Sequence, residues 1–176
     1  MKLDIGGKEP LRVVIEFRDI GSFIRINYFD KTYQASVCKC SRVHEKLDNE
    51  VVFLTRQLEE SCDVFTIIPE NIVTKEEILL RVIQGCIHYI LYSNEFKVKN
   101  RGLLLAMLIL GHKQLADVID NLNKAYASSS SYFLVIINPD KACPSNCKGL
   151  AYSTIEFKRK FLSNLAKNIL ALIERI

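Results

Sequence analysis

The fold is decided by residues 74–122, which have the sequence TKEEILLRVIQGCIHYILYSNEFKVKNRGLLLAMLILGHKQLADVIDNL. Thr74 is followed three residues later by Glu77, a pair typical of the capping box at a helix N-terminus. Apolar residues then recur at a spacing of four, which predicts one broad apolar helix face. The residues on this stripe are Leu79, Ile83, Ile87 and Leu91. We expect this helix to pack against the core.

Two more helices are predicted in the same stretch. Residues 103–110 are apolar on all sides, which indicates a buried helix, with Asn100 as its N-cap. Gly111 suits the position just after the end of that helix, because glycine readily adopts a left-handed conformation. A third helix follows, with one apolar stripe formed by Leu115, Val118, Ile119, Leu122 and Tyr126.

Short apolar runs on either side of these helices predict strands. Residues 11–18 and 22–29 form a predicted β-hairpin, since a glycine-containing link joins two runs rich in Val, Ile, Phe and Tyr. Further short strands are predicted over residues 33–38, 64–68 and 132–137. Because helices and strands do not alternate regularly, this pattern favours an α+β fold.

The remaining segments complete the prediction. Residues 42–61 are expected to be partly helical, residues 143–149 irregular, and residues 154–176 a closing helix. A chain of 176 residues without an internal repeat or linker predicts a single domain over residues 1–176. We therefore expect several helices packed against a small mixed or antiparallel sheet.

Charge and hydropathy restrict the partners and the location. The net charge is +4, but residues 141–176 contain seven basic and two acidic residues, which favours either contact with RNA or DNA or simply a solvated helix face. Residues 1–10 do not have the pattern of a signal peptide. The longest apolar run, residues 103–110, is far shorter than the ~20 residues of a membrane span. We expect a cytoplasmic protein.

Two cysteine pairs, Cys38-x-Cys40 and Cys143-x-x-x-Cys147, raise the question of a metal site. Four thiolates can hold zinc if the fold brings the pairs together, but neither pair has the usual two-residue gap. A local Cys143–Cys147 disulfide is the alternative in a host that keeps intracellular disulfides. The sequence prediction is that the chain holds no metal.

No catalytic residue can be assigned. Cys62 and Cys86 are expected to be packing residues. The three histidines, His44, His88 and His112, lie in no nucleophile motif. We expect no enzyme activity and no cofactor.

The best candidate site is a set of basic residues at both ends of the predicted buried helix. An eight- to ten-residue helix is ~12–15 Å long, which lets its two ends touch consecutive nucleotides of one strand. Asn94 and Asn100 can bond to bases, and Tyr92 or Phe96 can stack on them. The alternative is a solvated loop whose lysines only aid solubility. The candidate RNA-binding residues are Lys97, Lys99, Arg101, His112 and Lys113.

The run GLLLAMLILGHKQLADVIDNL, residues 102–122, resembles the small accessory subunit of the KEOPS complex, the family that includes the eukaryotic PRPK-binding protein. In that family an apolar helix ends at glycine, and a basic residue, glutamine and an aliphatic residue follow. Gly111, Lys113, Gln114 and Leu115 have this order. The runs NIVTKEEILLRVIQGCIHYIL and YFLVIIN resemble the preceding helix and the following strand, so the resemblance covers roughly residues 64–138.

This resemblance implies a non-catalytic protein. KEOPS installs threonylcarbamoyl on the adenosine next to the anticodon of tRNA. Its accessory subunit binds and supports the kinase-like ATPase subunit, and archaeal members are linked to the tRNA 3′ CCA end. An archaeal cytoplasm fits the short chain. For the kinase contact we expect the apolar residues Val118, Leu122, Leu165 and Ile169. The alternative is a free-standing RNA-binding or regulatory α+β module.

Overall fold

The computed structural model describes residues 2–6, 11–18, 21–58, 61–75, 77–140 and 143–150. These residues form seven strands and four helices in a mixed order. The elements are β1 (Lys2–Gly6), β2 (Leu11–Arg18), β3 (Gly21–Tyr28), β4 (Lys31–Ser41), α1 (Leu47–Leu58), β5 (Val64–Pro69), α2 (Ile78–Tyr92), α3 (Arg101–Leu110), α4 (Leu115–Ser128), β6 (Ser131–Ile137) and β7 (Cys147–Gly149). The α+β prediction is confirmed, and the sheet is antiparallel.

One sheet contains all these strands, in the order β1-β2-β3-β4-β6-β5. The eleven residues of β4 are long enough to have two neighbours on one side: β3 pairs with its first part and β7 with Cys38, Lys39 and Cys40. The opposite side of β4 pairs with β6. Since β6 lies between β4 and β5 and is covered on both faces, six of its seven residues are buried.

One face of the sheet, here called the helical face, packs against α2 and α3. Alternation places Phe133, Val135 and Ile137 of β6 on this face. The helices contribute a large apolar set that includes Val82, Ile83, Cys86, Leu104, Leu105 and Ile109. Thr66 of β5 is a buried polar residue on this face, but the face contains many more apolar side chains, so burial of hydrophobic surface is its main stabilising interaction.

The opposite face, here called the disulfide face, packs against α1 and the segment of residues 143–147. The alternate β6 residues, Tyr132, Leu134 and Ile136, lie here beside Cys38 and Cys40 of β4. Leu54 and Leu58 of α1 cover them. α4 links the two faces, because its Val118 and Leu122 belong to the helical-face core and its Tyr126 to the disulfide-face core.

The predicted ends of α3 are confirmed. The Leu103 N–H donates to Asn100 Oδ1 at 3.0 Å, as expected of an N-cap. Gly111 has a φ of 72°, and the His112 N–H donates to the Met107 carbonyl at 3.1 Å, the bond of a Schellman motif. α2 begins later than predicted, at Ile78, although the Glu77 N–H donates to the Thr74 hydroxyl one turn earlier.

Three strand predictions need correction. β1 was not predicted and pairs with β2, while residues 7–10 lie outside the described part. β4 extends to Ser41 rather than Cys38, because β6 and β7 supply hydrogen-bonding partners to its second half. The expected irregular segment 143–149 contains β7. The predicted closing helix over residues 154–176 lies outside the described residues.

Candidate RNA- and partner-binding surfaces

The N-terminal end of α3 forms the first part of the candidate RNA site. Lys97 and Lys99 are exposed in the connection from α2 to α3, and Phe96 beside them is 36% exposed. Arg101 is also exposed, but its guanidinium donates to the Ser93 carbonyl at the end of α2 at 2.6 Å. Arg101 therefore closes the loop, while the two lysines project freely enough to meet a ligand.

The C-terminal end of α3 forms the second part. The left-handed turn at Gly111 redirects the chain, and Lys113 is exposed just after it. The half-buried His112 ring lies with its Nε2 3.2 Å from Asn121 Nδ2 of α4. This contact fixes the orientation of the imidazole, so His112 connects the turn to α4.

The two parts lie at opposite ends of a ten-residue helix, which separates them by ~15 Å. Both contain acidic neighbours, since Glu95 is exposed near the lysines and Asp117 near Lys113. The surface is therefore modestly basic. The structure places the five predicted residues at the predicted helix ends, and RNA contact stays a prediction.

The partner-binding prediction is corrected for two of its four residues. Val118 and Leu122 are 0% and 2% exposed, because α4 turns both into the helical-face core. Val118 presents no surface to a partner, and Leu122 contributes only to the lining of the cleft described next. The large apolar residue that α4 does expose is Ile119, at 40%. Leu165 and Ile169 lie outside the described residues.

A concave apolar surface, here called the β5 cleft, lies where β5 forms the outer strand of the sheet. Its volume is about 460 Å³. α1, β5, the start of α3 and α4 provide its walls, and Gly102 approaches β5 so closely that an added Cβ would lie 2.6 Å from the Phe65 carbonyl oxygen. The apolar lining residues are Leu47, Val51, Leu58, Val64, Phe65, Ile67, Leu103 and Leu122, with Asp48, Asp63 and Thr55 among the polar ones.

The disulfide face contains a buried carboxylate, Glu50, that sequence reasoning missed. Its Oε2 accepts from the Val43 and His44 N–H groups at 3.0 and 2.8 Å. The Tyr126 and Tyr132 hydroxyls donate to its two oxygens, each at 2.7 Å. The signal was present in the sequence, because Glu50 lies on the same i, i+4, i+8 stripe as the buried Leu54 and Leu58.

This network sets the charge of its members. Burial alone would raise the pKa of Glu50, but the His44 and Val43 amides and the two tyrosine hydroxyls together hold that pKa below its ordinary value. Burial and the bond to Glu50 raise the pKa of both Tyr126 and Tyr132. At neutral pH the site is therefore an ionised carboxylate with four hydrogen-bond donors.

The cysteine pairs are bonded across the disulfide face rather than locally. Cys38 joins Cys143 and Cys40 joins Cys147, so the possible Cys143–Cys147 bond is wrong. Strand β4 explains this, because Cys38 and Cys40 lie on one face at the register where β7 pairs. In this oxidised form, no group of three or more His, Cys, Asp or Glu residues in the described part is placed to hold a metal ion.

The two free cysteines fit the prediction of packing residues. Cys86 is fully buried in the helical-face core, and burial raises its pKa to about 12. Burial and the neighbouring Asp63 and Asp140 also raise the pKa of Cys62. The raised pKa of each thiol disfavours the thiolate, which is the reactive form of cysteine.

No family model matches the chain, and no curated protein matches it significantly. Within the described ranges, no single helix is long and apolar enough to cross a membrane. α3 and α4 together have the required length and composition, but the pair is bent by 85°.

Proposed function

We propose that the chain is a non-catalytic binding protein: the small accessory subunit of a KEOPS complex, which supports the kinase-like ATPase subunit and helps bind tRNA for threonylcarbamoyl-adenosine modification. The observation that supports this best is the pair of exposed basic sites at the two ends of α3. Their helix is fixed by the Asn100 cap and the Gly111 turn. These elements coincide with the residues that resemble the family.

For RNA, the proposed ligand is a flexible single strand such as the tRNA 3′ CCA end. Lys97, Lys99 and Lys113 supply phosphate contacts, and Phe96 is exposed enough to stack on a base. Asn100 is less available than the sequence suggested, because its Oδ1 caps α3. The modest charge predicts binding that depends on the partner subunit for most of its affinity.

The test for the RNA site is a matched pair of double variants. We expect Lys97→Glu with Lys99→Glu to weaken binding of a tRNA by about 10-fold or more in fluorescence anisotropy and to lower the salt slope by ~1–2. Lys31→Glu with Lys46→Glu changes the charge equally at exposed sites elsewhere and should leave binding nearly unchanged. Equal loss in both double variants would remove α3 as the site.

For the kinase-like subunit, the proposed contact is the β5 cleft, whose lining includes Leu122, in place of an exposed stripe on α4. It is apolar, concave and open, and its lining includes Asp48 and Asp63, which suit a partner with basic groups around an apolar anchor. Thr55 is an exposed lining residue. A large side chain there fills the cleft without disturbing the core.

We therefore expect Thr55→Arg to weaken the complex by more than about 10-fold in isothermal titration calorimetry. Gln57→Arg adds the same charge to an exposed position of α1 that does not line the cleft, and it should bind like the unmodified chain. If both variants bind normally, the cleft is not the contact. RNA binding without any kinase association would instead favour the free-standing RNA-binding module.

The cytoplasm is the proposed location. Disulfides occur in the cytoplasm of hyperthermophiles, while in most other cells the cytoplasm keeps thiols reduced. The two bonds seen here are compatible with an archaeal hyperthermophile. In a reducing cytoplasm, the same four cysteines would be thiols.

A further inference from the structure

Four cysteine sulfurs lie together at one place on the disulfide face. Cys38 and Cys40 are separated by one residue on β4, so both side chains lie on the same side of the sheet. Cys147 is directly opposite Cys40 in the strand register, and Cys143 is bonded to Cys38. The sequence condition for a zinc site, that the fold bring the two pairs together, is therefore met.

We propose that Cys38, Cys40, Cys143 and Cys147 form a tetrathiolate site for Zn²⁺ once both disulfides are reduced. Each disulfide takes two electrons and two protons from a thiol reductant, which is itself oxidised to a disulfide. The four thiols produced then lose their protons to solvent as the thiolates bind the metal. Zinc itself undergoes no redox change.

The spacing of the backbone suits this site. A tetrahedral zinc with Zn–S bonds of ~2.3 Å places its sulfurs ~3.8 Å apart. The paired Cα atoms are 6.1 Å apart for Cys38–Cys143 and 4.1 Å for Cys40–Cys147, so opening each disulfide to that sulfur separation needs little backbone movement. Along β4 the two positions are ~6.6 Å apart, and rotation about χ1 brings their sulfurs closer.

A buried amide supports the proposal independently. Asn146 Oδ1 lies 3.7 Å from Cys147 Sγ, where a disulfide sulfur has no proton to donate. Its Nδ2 is buried and near the Tyr132 hydroxyl, but within the described part of the chain it makes no hydrogen bond of normal geometry. After a 180° flip of the amide, Nδ2 would face a thiolate at Cys147 and donate to it, and hydrogen bonds from a second shell are typical of structural metal sites.

Zinc would have the same structural role as the two disulfides. Either one fastens residues 143–147 and β7 to β4 and covers Leu134 and Ile136 of the disulfide face. Binding of a metal to thiolates in the folded state adds directly to the free energy of folding. The metal therefore replaces the covalent closure wherever the compartment reduces it.

The experiment uses the full chain, reduced with a phosphine under anaerobic conditions and freed of chelator, and then titrated with zinc chloride. We expect one zinc per reduced chain by elemental analysis, protection of four thiols from alkylation, and no zinc in the oxidised chain. Cobalt(II) added in place of zinc should give the visible absorption of a tetrahedral thiolate complex. Absence of zinc from the reduced chain, or equal uptake by the oxidised one, would overturn the proposal.

Single variants identify the ligands. We expect Cys38→Ser, Cys40→Ser, Cys143→Ser and Cys147→Ser each to weaken zinc binding by more than about 100-fold, and Asn146→Ala by about 10-fold. Cys62→Ser is the control and should bind zinc normally. If the reduced chain needs metal to fold, the recovery of its folded circular dichroism spectrum on addition of zinc measures zinc binding in each variant. A reduced chain that zinc neither binds nor refolds, or four variants that bind normally, would contradict the site.

Discussion

The two faces of the sheet are stabilised by different kinds of interaction. The helical face is a cluster of apolar residues from α2, α3, α4 and the sheet, without a single charged member. The disulfide face is smaller and depends on specific bonds: two disulfides and the Glu50 network. One layer therefore responds mainly to changes of volume, and the other to redox conditions and pH.

The residues proposed to bind RNA and the disulfides that stabilise the chain lie on different faces of the sheet. The candidate RNA residues lie at the ends of α3, in the helical layer, whereas the covalent closures lie on the opposite side of the sheet. Redox change should therefore alter the stability of the chain far more than the geometry of Lys97, Lys99 and Lys113. The β5 cleft is bordered by both layers, because α1 and α3 form its opposite walls.

Reduction of the disulfides should produce the largest effect. Loop closure gives about 4.7 kcal/mol for a ring of roughly 100 residues. Once that ring is closed, the second disulfide closes only the small ring between the two bonds, which gives roughly 2.5 kcal/mol. We therefore expect reduction to lower the free energy of unfolding by up to about 7 kcal/mol. The Cys38–Cys143 bond closes the long ring, with a sequence separation of 105. Thermal unfolding with and without a phosphine, in the presence of a metal chelator, measures this. An unchanged midpoint would show that the disulfides do not stabilise this face.

Loss of the Glu50 carboxylate should come next. Glu50→Ala leaves two backbone N–H groups and the buried Tyr132 hydroxyl without their acceptor, while the Tyr126 hydroxyl keeps the His44 carbonyl at 3.0 Å, and we expect a loss of about 3–5 kcal/mol in urea unfolding. Glu45→Ala removes an exposed carboxylate from the adjoining loop and should cost less than about 0.5 kcal/mol. Similar losses in both variants would mean that the network is not the source.

The same residue predicts a pH dependence. Because the pKa of Glu50 is lower in the folded chain than its ordinary value of 4.5, its stabilisation is complete above about pH 4.5 and is lost as pH falls through the folded pKa. The stability difference between the unmodified chain and Glu50→Gln should therefore shrink as the solution is acidified below pH 4.5. A difference that stays constant over that range would contradict the assigned ionisation.

On the helical face, Gly85→Ala should have an intermediate effect. A Cβ at position 85 would lie 2.9 Å from the Ile109 backbone N and Cα, so α2 and α3 must separate. We expect a net loss of about 1–3 kcal/mol, since overpacking outweighs the gain in helix propensity. Gly85→Ala with Ile109→Ala tests the contact, because the Cγ1 clash at 2.5 Å disappears while the backbone clash remains. A stabilised single variant would disprove the close approach.

The smallest effect is expected outside both layers. Phe29, at the turn between β3 and β4, has a φ of 51° and is 70% exposed. Asparagine tolerates this left-handed conformation better than phenylalanine, so Phe29→Asn should raise stability by roughly 0.5–1 kcal/mol. Tyr28→Asn changes the adjacent strand residue and should not stabilise the chain. A loss of stability in Phe29→Asn would indicate that its ring makes a needed contact with Tyr28.

The helices of the helical face could be predicted because their apolar residues recur at regular spacing along the sequence. The stripes of α2 and α4, the Asn100 cap and the Gly111 turn all depend on residues within a few positions of one another. Val118 and Leu122 show the limit of this approach. A stripe predicts which residues share a helix face, but not whether that face meets the protein's own core or a partner.

The interactions of the disulfide face could not be predicted in the same way, because the residues that bond to one another lie far apart in sequence. Glu50 bonds to Tyr126 and Tyr132, 76 and 82 residues away, and Cys38 to Cys143. Pairing of four cysteines has three possible connectivities, and only the register of β4 with β7 selects one. The candidate RNA residues were locatable from their spacing around α3, although the bonds made by Arg101 and His112 were not.

The most direct measurement is to mix the full chain with its cognate kinase-like ATPase subunit at micromolar concentration and analyse the mixture by size-exclusion chromatography with light scattering. We expect a single species with the summed mass of one copy of each chain, and a complex that binds tRNA more tightly than either chain alone. Two separate peaks, with tRNA affinity unchanged by mixing, would contradict the proposal that this chain works as a KEOPS accessory subunit.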